Sequence, residues 1–543
     1  MDLDSFQEQR LDVEALDETP RLGRRQFLIA GLATGVAAST TVNYAAIARG
    51  RRTGFAKNGT FPQGVASGFP HPTSGILWTR LDEIGRTSRF KLEVAKDPGF
   101  KKIVAQRTVT ARSDRDYTAR VRVNKLKPDH EYFYRFHTKH SNSPVGRFRT
   151  GPAPDSRRPV RIALVTCQSY EAGYYNVHRA IAAEPNLDLV LGLGDYIYES
   201  HYYDGPAGRK DTTGDNHDGH VEYLHEYWQK YRLYKSDPDL IAMHQAHPFI
   251  ACWDDHEVED NYADGLASSH ATDGQTNNGH PRRISIAERR ANGYQAFFNS
   301  MPRIRFDGDL NRIYEQYRIG SLVDLLVTDE RQYRDQQPCS DAQVTPCFDE
   351  NGDRTMLGTS QKAWFKGALS SSRQAWKLWA NEVMVMGLQS APDIGVNNDQ
   401  WDGYAKERKE LLEYVLANKI SNVVALTGDI HSFFAGTATT TGSSLDLQGV
   451  PAIPELVVGS ATSHGLPEET NLPSSAIKTL VQTLDPHIIY TDLDRRGYAI
   501  VEVTPDELTC EFKALSVDAR NNDAPATIAK FRVPNGAVSP QFA

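Results

Sequence analysis

Positive charge is in short supply: 61 Lys and Arg face 69 Asp and Glu, for a formal charge of −8. Such a sum leaves no footprint for nucleic acid or an anionic membrane, and no specific nucleic acid partner is expected from it. Long apolar runs are scarcer still. Apart from one stretch near the N-terminus, none approaches the ~18 residues that span a bilayer, so no membrane span is expected in the mature protein. Only five cysteines occur in 543 residues. Of these, Cys339 and Cys347 alone are close in sequence, in the turn-rich loop QPCSDAQVTPCFD, where a local disulfide would form in an oxidising compartment. No Gly-x-Ser-x-Gly stands at a strand end, which disfavours a covalent serine mechanism. The length allows about two to four domains.

The apolar stretch near the N-terminus follows Gly23-Arg24-Arg25-Gln26-Phe27-Leu28 and runs to Ala38, with Ala46-Ile47-Ala48 as a small-residue cleavage site. Residues 1–48 therefore read as a twin-arginine signal, implying passage through that export machinery and a periplasmic or secreted location. Folded proteins take this route, so a metal centre can be assembled before export.

Residues 55–150 alternate in short β-like runs with turns rich in Pro, Gly, Asp and Asn, which predicts an all-β sandwich. Leu126-Lys127-Pro128 followed by Tyr132-Phe133-Tyr134-Arg135 resembles a fibronectin-type-III or immunoglobulin-like domain. Gly151 to Ser156 reads as a linker. From residue 156 to 543 strands are spaced by helices, an α/β pattern. Helical periodicity marks His220 to Tyr234, Ile286 to Met301 and Gln361 to Leu369, while Arg312 to Val327 reads as a hairpin turning at Gly320-Ser321.

Four apolar runs stop at residues able to hold metal. Ile162 to Val165 leads to Cys167, and Leu187 to Leu193 leads to Asp195 with Tyr198. Phe249 to Trp253 leads to Asp255 and His256 with Asn261 nearby; Val423 to Leu426 leads to Asp429 and His431. Parallel strands deliver such ends to one edge of a sheet. Together they predict a two-metal site, in which ions about 3.5–4 Å apart share a bridging carboxylate. Asp195 is placed for that bridge, and the i, i+2 pair Asp429 and His431 could serve different ions.

The segments Gly-Asp-x-x-Tyr, Trp-Asp-Asp-His-Glu and Gly-Asp-Ile-His, in this order, resemble the alkaline phosphatase D (PhoD) family of metallophosphoesterases. Gly64 to Gly68, Asp329 to Arg334, Trp401 to Tyr404 and Arg495 to Tyr498 agree with it. The resemblance implies a four-layer αββα core over residues 156–543, with Fe3+ and one or two Ca2+ in a site akin to purple acid phosphatases. It implies that Cys167, Asp195, Tyr198 and His431 hold iron. Asp195, Asp429 and either Asp255 or Asn261 would hold calcium, with His256 as the acid or phosphate-stabilising group. Thiolate and phenolate suit a trivalent ion, and calcium takes oxygen ligands. Arg331 is either a phosphate clamp near the mouth or a salt-bridged surface residue. Family members often read Gly-Asp-Pro where this chain has Gly68-Phe69-Pro70, which puts the contact between its domains in question.

The expected activity is that of an exported alkaline phosphatase or phosphodiesterase, hydrolysing phosphate esters by in-line attack of a metal-activated hydroxide. A phospholipase D-type phosphodiesterase acting on lipid headgroups is the enzymatic alternative. A cell-surface binding module without catalysis is the other; a thiolate among the ligands argues against it.

Overall fold

The computed structural model describes residues 53–543 except 206–208, 268–273, 277, 342–346, 348–351, 392–393 and 442–448. The expected signal lies outside the described residues. Among them no helix is long and apolar enough to cross a membrane.

Seven strands come first: β1 (Val65–His71), β2 (Ser74–Arg80), β3 (Ser88–Ala95), β4 (Ile103–Ala111), β5 (Thr118–Val123), β6 (Glu131–His137) and β7 (Gly146–Arg149). They form a three-stranded sheet, β1-β2-β5, and a four-stranded sheet, β4-β3-β6-β7. Alternate residues of both, among them Leu77, Val121, Phe90, Leu92, Tyr134 and Phe136, fill one core between them.

This unit rests on the rest of the chain through close backbone contact. A Cβ on Gly68 would lie 2.4 Å from the Pro302 carbonyl oxygen, so only glycine fits there. Phe69, which stands where the family resembled often has Asp, is fully buried, perpendicular to the Tyr317 ring and with the Arg303 guanidinium 5.0 Å from its own ring. Trp78 Nε1 donates to the Asn299 carbonyl at 2.7 Å. The unusual phenylalanine is thus an interface residue, and the contact is intact.

Next come β8 (Val160–Val165), α1 (Asn176–Ala183), β9 (Leu189–Leu193), α2 (Leu224–Tyr234), α3 (Pro238–Ala246), β10 (Phe249–Cys252) and α4 (Ile286–Ser300). Asp237 caps α3 ahead of Pro238, and Ser285 caps α4 by accepting from Glu288 N. The second half adds β11 (Glu315–Ile319), β12 (Val323–Val327), α5 (Gly358–Ser371), β13 (Trp376–Asn381), the small pair β14 (Gln389–Ala391) and β15 (Ile394–Gly395), α6 (Ala405–Ala417) and β16 (Val423–Thr427). It closes with β17 (Phe433–Thr439), β18 (Pro451–Val457), α7 (Leu466–Thr470), α8 (Ser474–Leu484), β19 (Ile488–Asp492), β20 (Gly497–Val503), β21 (Glu507–Ala514), β22 (Ala526–Pro534) and β23 (Gln541–Phe542).

Two seven-stranded sheets result, ordered β10-β9-β8-β20-β21-β22-β23 and β11-β12-β13-β16-β18-β17-β19. Leu325, Leu378 and Val424 turn to the core shared with Ile162, Leu164 and Leu191 of the first sheet. Their neighbours Leu326, Trp379 and Ala425 face the opposite way, onto Phe365 of α5 and Leu411 and Leu412 of α6. This period of two, with both faces buried, makes a sandwich of sheets flanked by helices. It is an α/β architecture of the phosphoesterase kind.

Candidate metal centre

Strands β8, β9 and β10 run parallel in one sheet and β16 lies in the other, so their C-terminal ends converge. Cys167, Asp195 and Asp429 each lie two residues past a strand end, and Asp255 three. Left-handed backbone sets the aim of most of these groups: φ is 53° at Cys167, 52° at Asp195, 55° at Asn261, 62° at Asp429 and 55° at His431. Non-glycine residues rarely adopt that region, and their concentration here marks stored strain at a functional site.

The donor atoms of Cys167, Asp195 and His431 lie within 4.8 Å of one another, as do those of Asp195, Asp255 and His256, and those of Asp254, Asp255 and Asp429. Asp195 belongs to the first two groups. Tyr198 Oη donates to Asp195 Oδ2 at 3.0 Å, stands 3.1 Å from His431 Nε2, and accepts from Ser463 Oγ at 2.7 Å. Glu469 holds the other His431 nitrogen at 2.8 Å, which orients the ring. Asp255 Oδ2 accepts from the Asn261 backbone N–H at 2.6 Å. The Asn261 amide turns to the carboxylates of Asp399 and Asp255, at 3.1 and 3.2 Å. Thus the structure brings all seven expected metal donors together. His256 lies beside them, its Nδ1 2.8 Å from Glu199 Oε2 and its ring 4.1 Å from that of Tyr198.

Arg331 departs from both readings made of it. It is fully buried, neither at the mouth nor on the surface. Its Nε meets Asp254, Nη1 meets Asp399 at 2.5 Å and Nη2 meets Asp429 at 2.8 Å, with Asp255 at 3.6 Å. A guanidinium so committed has no free edge for phosphate; it is the counter-ion of the acids.

Several groups escaped sequence reasoning. Glu257 closes the Trp-Asp-Asp-His-Glu segment and clamps two loops, accepting from the backbone N–H of Asp195, Tyr196 and Asp254 at 3.2, 2.6 and 2.7 Å. Asp399 and Gln400 stand just before Trp401, where that agreeing segment could have pointed to them; Gln400 donates to Asp429. Ser463 and Glu469 carry no signal in their own neighbourhoods. The fourth acidic grouping, Asp215, His225 and Glu226, differs in kind, because Arg283 grips both oxygens of Glu226 at 2.7 Å.

The donor set fits metal ions on its own chemistry. Asp195 Oδ1 and Asp255 Oδ1 are buried without a hydrogen-bond partner, which is costly unless a cation faces them. Burial and the neighbouring acids raise Asp195 well above the carboxylate range, although His256 opposes them. Burial pushes Asp429 up to about 7 against the pull of Arg331. Burial and Asp195 likewise push up the Cys167 thiol and the Tyr198 phenol. A bound cation would relieve each of these penalties. Burial also lowers His256, but Asp195, Asp255 and Glu199 outweigh it and raise the imidazole above its ordinary value.

The centre opens into a cavity of about 440 Å³. Tyr202, Tyr203, Val396, Asn397, His464 and Leu466 are among the residues of its wall. Among the described residues, seven carboxylates line it and no Lys or Arg does.

A family model for PhoD-like phosphatase matches residues 162–512, and one for the PhoD-like phosphatase N-terminal domain matches residues 47–152. Alkaline phosphatase D of Bacillus subtilis (strain 168) is 34% identical over 491 residues, spanning 87% of this chain and 80% of its own. A solved structure of PhoD superposes with a TM-score of 0.77 at 30% identity, covering 90% of this chain and 93% of that one.

Proposed function

This chain belongs to the PhoD-like phosphatase family and is a phosphoric ester hydrolase; we propose that it works through an Fe3+ and Ca2+ pair bridged by Asp195. The observation carrying this reading is that Asp195 belongs to two donor groups of different softness, one with Cys167 and His431, the other with Asp255 and His256. Cys167, Tyr198 and His431 would hold the iron, since a trivalent ion favours anionic sulfur and phenolate donors. Asp429 and Asp255 would hold calcium. We prefer Asp255 to Asn261 because its Oδ1 has no hydrogen-bond partner, whereas the Asn261 amide is turned to Asp399.

When bound, the ions supply positive charge for the phosphoryl oxygens and acidify a water for in-line attack. The protein's own groups do the rest. Glu199 accepts from His256 Nδ1 and favours the imidazolium, whose Nε2–H is the proton available to a leaving oxygen. Tyr202 Oη and the Asp260 N–H fix Glu199 in turn, at 2.6 and 3.0 Å. Outside the metal ligands, Asp260, Glu468 and Glu469 line the cavity, and a monoester dianion meets more repulsion from them than a diester monoanion. We therefore read phosphodiesters as preferred; lipid headgroup diesters remain the rival substrates.

Export through the twin-arginine route to the periplasm or beyond is part of the same reading. The Cys339–Cys347 disulfide supports an oxidising destination. The three-plus-four strand arrangement of residues 55–150 supports a fibronectin-type-III-like sandwich.

Metal analysis of the purified protein tests the assignment. His431→Ala should deplete iron and Asp429→Ala calcium, while wild type turns over a bis-aryl phosphodiester faster than an aryl monoester. A colourless, active enzyme with stoichiometric zinc and no iron would overturn the metal pair.

A further inference from the structure

The formal charge of −8 averages two regions of opposite sign. Residues 55–150 hold 19 Lys and Arg against 8 Asp and Glu, a net +11, whereas residues 151–543 hold 35 against 54, a net −19. An anion approaching the catalytic region is repelled, and one approaching the β-sandwich is attracted.

The positive charge has a focus. The hairpin of β3 and β4 carries Arg89, Lys91, Lys96, Lys101, Lys102 and Arg107, all exposed. Its two acids are both engaged: Glu93 lies beneath Arg135 at 2.8 Å, and Asp97 accepts from the backbone N–H of Lys101 and Lys102 at 3.0 and 2.8 Å. Blocking the open edge of β4 against strand pairing explains a charge or two. It does not explain cations on β3, which is paired on both sides, or at the hairpin's turn.

The register distributes these cations around the hairpin. Lys91 pairs with Thr108 and Arg107 with Leu92, and neighbouring positions on a strand point to opposite faces, so Lys91 and Arg107 lie on different faces. Lys101 and Lys102 stand at the turn. A planar bilayer could engage one face only. A flexible chain can follow all three places.

We propose that the β3–β4 hairpin is a docking strip for the phosphodiester backbone of an anionic polymer whose ester bonds are cleaved at the metal centre. The proposal rests on the phosphodiesterase reading given above. The sandwich meets β10 at its beginning, where Ser67 bridges to Pro248, whereas the metal centre lies beyond the strand's end. Only a chain long enough to reach both places gains from the strip, which then raises the substrate's effective concentration at an acidic mouth.

The test uses the triple variants K91Q/K101Q/K102Q and K91E/K101E/K102E, whose sites are exposed and outside the catalytic machinery. Binding is read by fluorescence anisotropy with a phosphorothioate oligothymidylate of about twenty units, a hydrolysis-resistant chain, across a salt series. Wild type should bind with a steep salt dependence. Removing three contacts should flatten the slope of log K against log salt by about 2 and weaken low-salt binding about tenfold or more. KM for a cleavable oligonucleotide of the same length should rise, with KM for a bis-aryl phosphodiester and a dinucleotide unchanged. Unchanged oligomer binding in both variants, or an equal rise in KM for the small diester, overturns the strip. So does wild-type binding to phosphatidylglycerol vesicles but not to the oligomer. Anisotropy needs no turnover, so absent hydrolysis of every ester would strike the phosphodiesterase reading and leave the binding result legible.

Discussion

On one side of Asp195, Cys167, Tyr198 and His431 are supported by separate neighbours: Thr166 touches the thiol, Ser463 the phenol and Glu469 the imidazole. On the other, Asp254 and Asp429 depend on the single cation Arg331, which Asp399 shares with Arg334, and Asp255 lies close by. A half built from separate supports can lose one and keep the others. A half built on one shared guanidinium fails as a unit.

The largest effect should come from Asp195→Asn, which strikes both halves at once. Turnover should fall by several orders of magnitude with the fold retained, as read by near-ultraviolet circular dichroism and metal content. Near-wild-type activity in a folded protein would remove Asp195 from the bridge. Arg331→Met should come next, since it takes the cation from buried Asp254 and from Asp429. Urea unfolding should reveal a loss of about 3–5 kcal/mol, and metal should be lost first from the Asp429 side. Arg331→Lys keeps the charge without the fork and should fall between, so equality of Lys and Met variants would show that geometry, not charge, joins this half.

Ser463→Ala removes one support from the other half. It should weaken metal binding there by about 10–100-fold, the usual cost of losing an outer partner, while the Asp429 side keeps its ion. Tyr198→Phe in the same half should diminish the visible absorption of an iron-loaded protein. Loss of both metals from Ser463→Ala would abolish the contrast between the halves.

A baseline comes from a buried acid that makes no ion pair among the described residues. Asp485 is buried, its Oδ2 accepts from Gln389 N at 3.1 Å, and burial pushes it from the ordinary 3.8 up to about 8. The folded state holds this proton longer than the unfolded chain, so stability falls as pH rises from about 4 to 8 and levels off above. Asp485→Asn should melt with wild type near pH 4 and several degrees higher at pH 9. Parallel melting curves across that range would mean that the carboxyl is already compensated.

The strand ends were legible because apolar runs of four to seven residues stop abruptly before Cys167, Asp195, Asp255 and Asp429. Periodicity also located α4 and the β11–β12 hairpin to within a few residues. It could not place Arg331, whose burial follows from four acids converging from segments 68 to 98 positions distant. Ser463 and Glu469 were illegible for a like reason: their roles exist only once the second sheet has brought them beside Tyr198 and His431. Phe69 looked like a defect in the sequence and proved to be an interface residue.

The seating of β20 between β8 and β21 sets a timetable for synthesis. Leu164 waits for Ala499, 335 residues later, before its strand has a partner on that side. A ribosome must therefore deliver nearly the whole chain before the first sheet can close around Cys167 and Asp195, and until then β8 is exposed to mispairing. Premature termination anywhere before about residue 503 should leave a product that neither folds its first sheet fully nor retains metal, however many of the ligands it already contains.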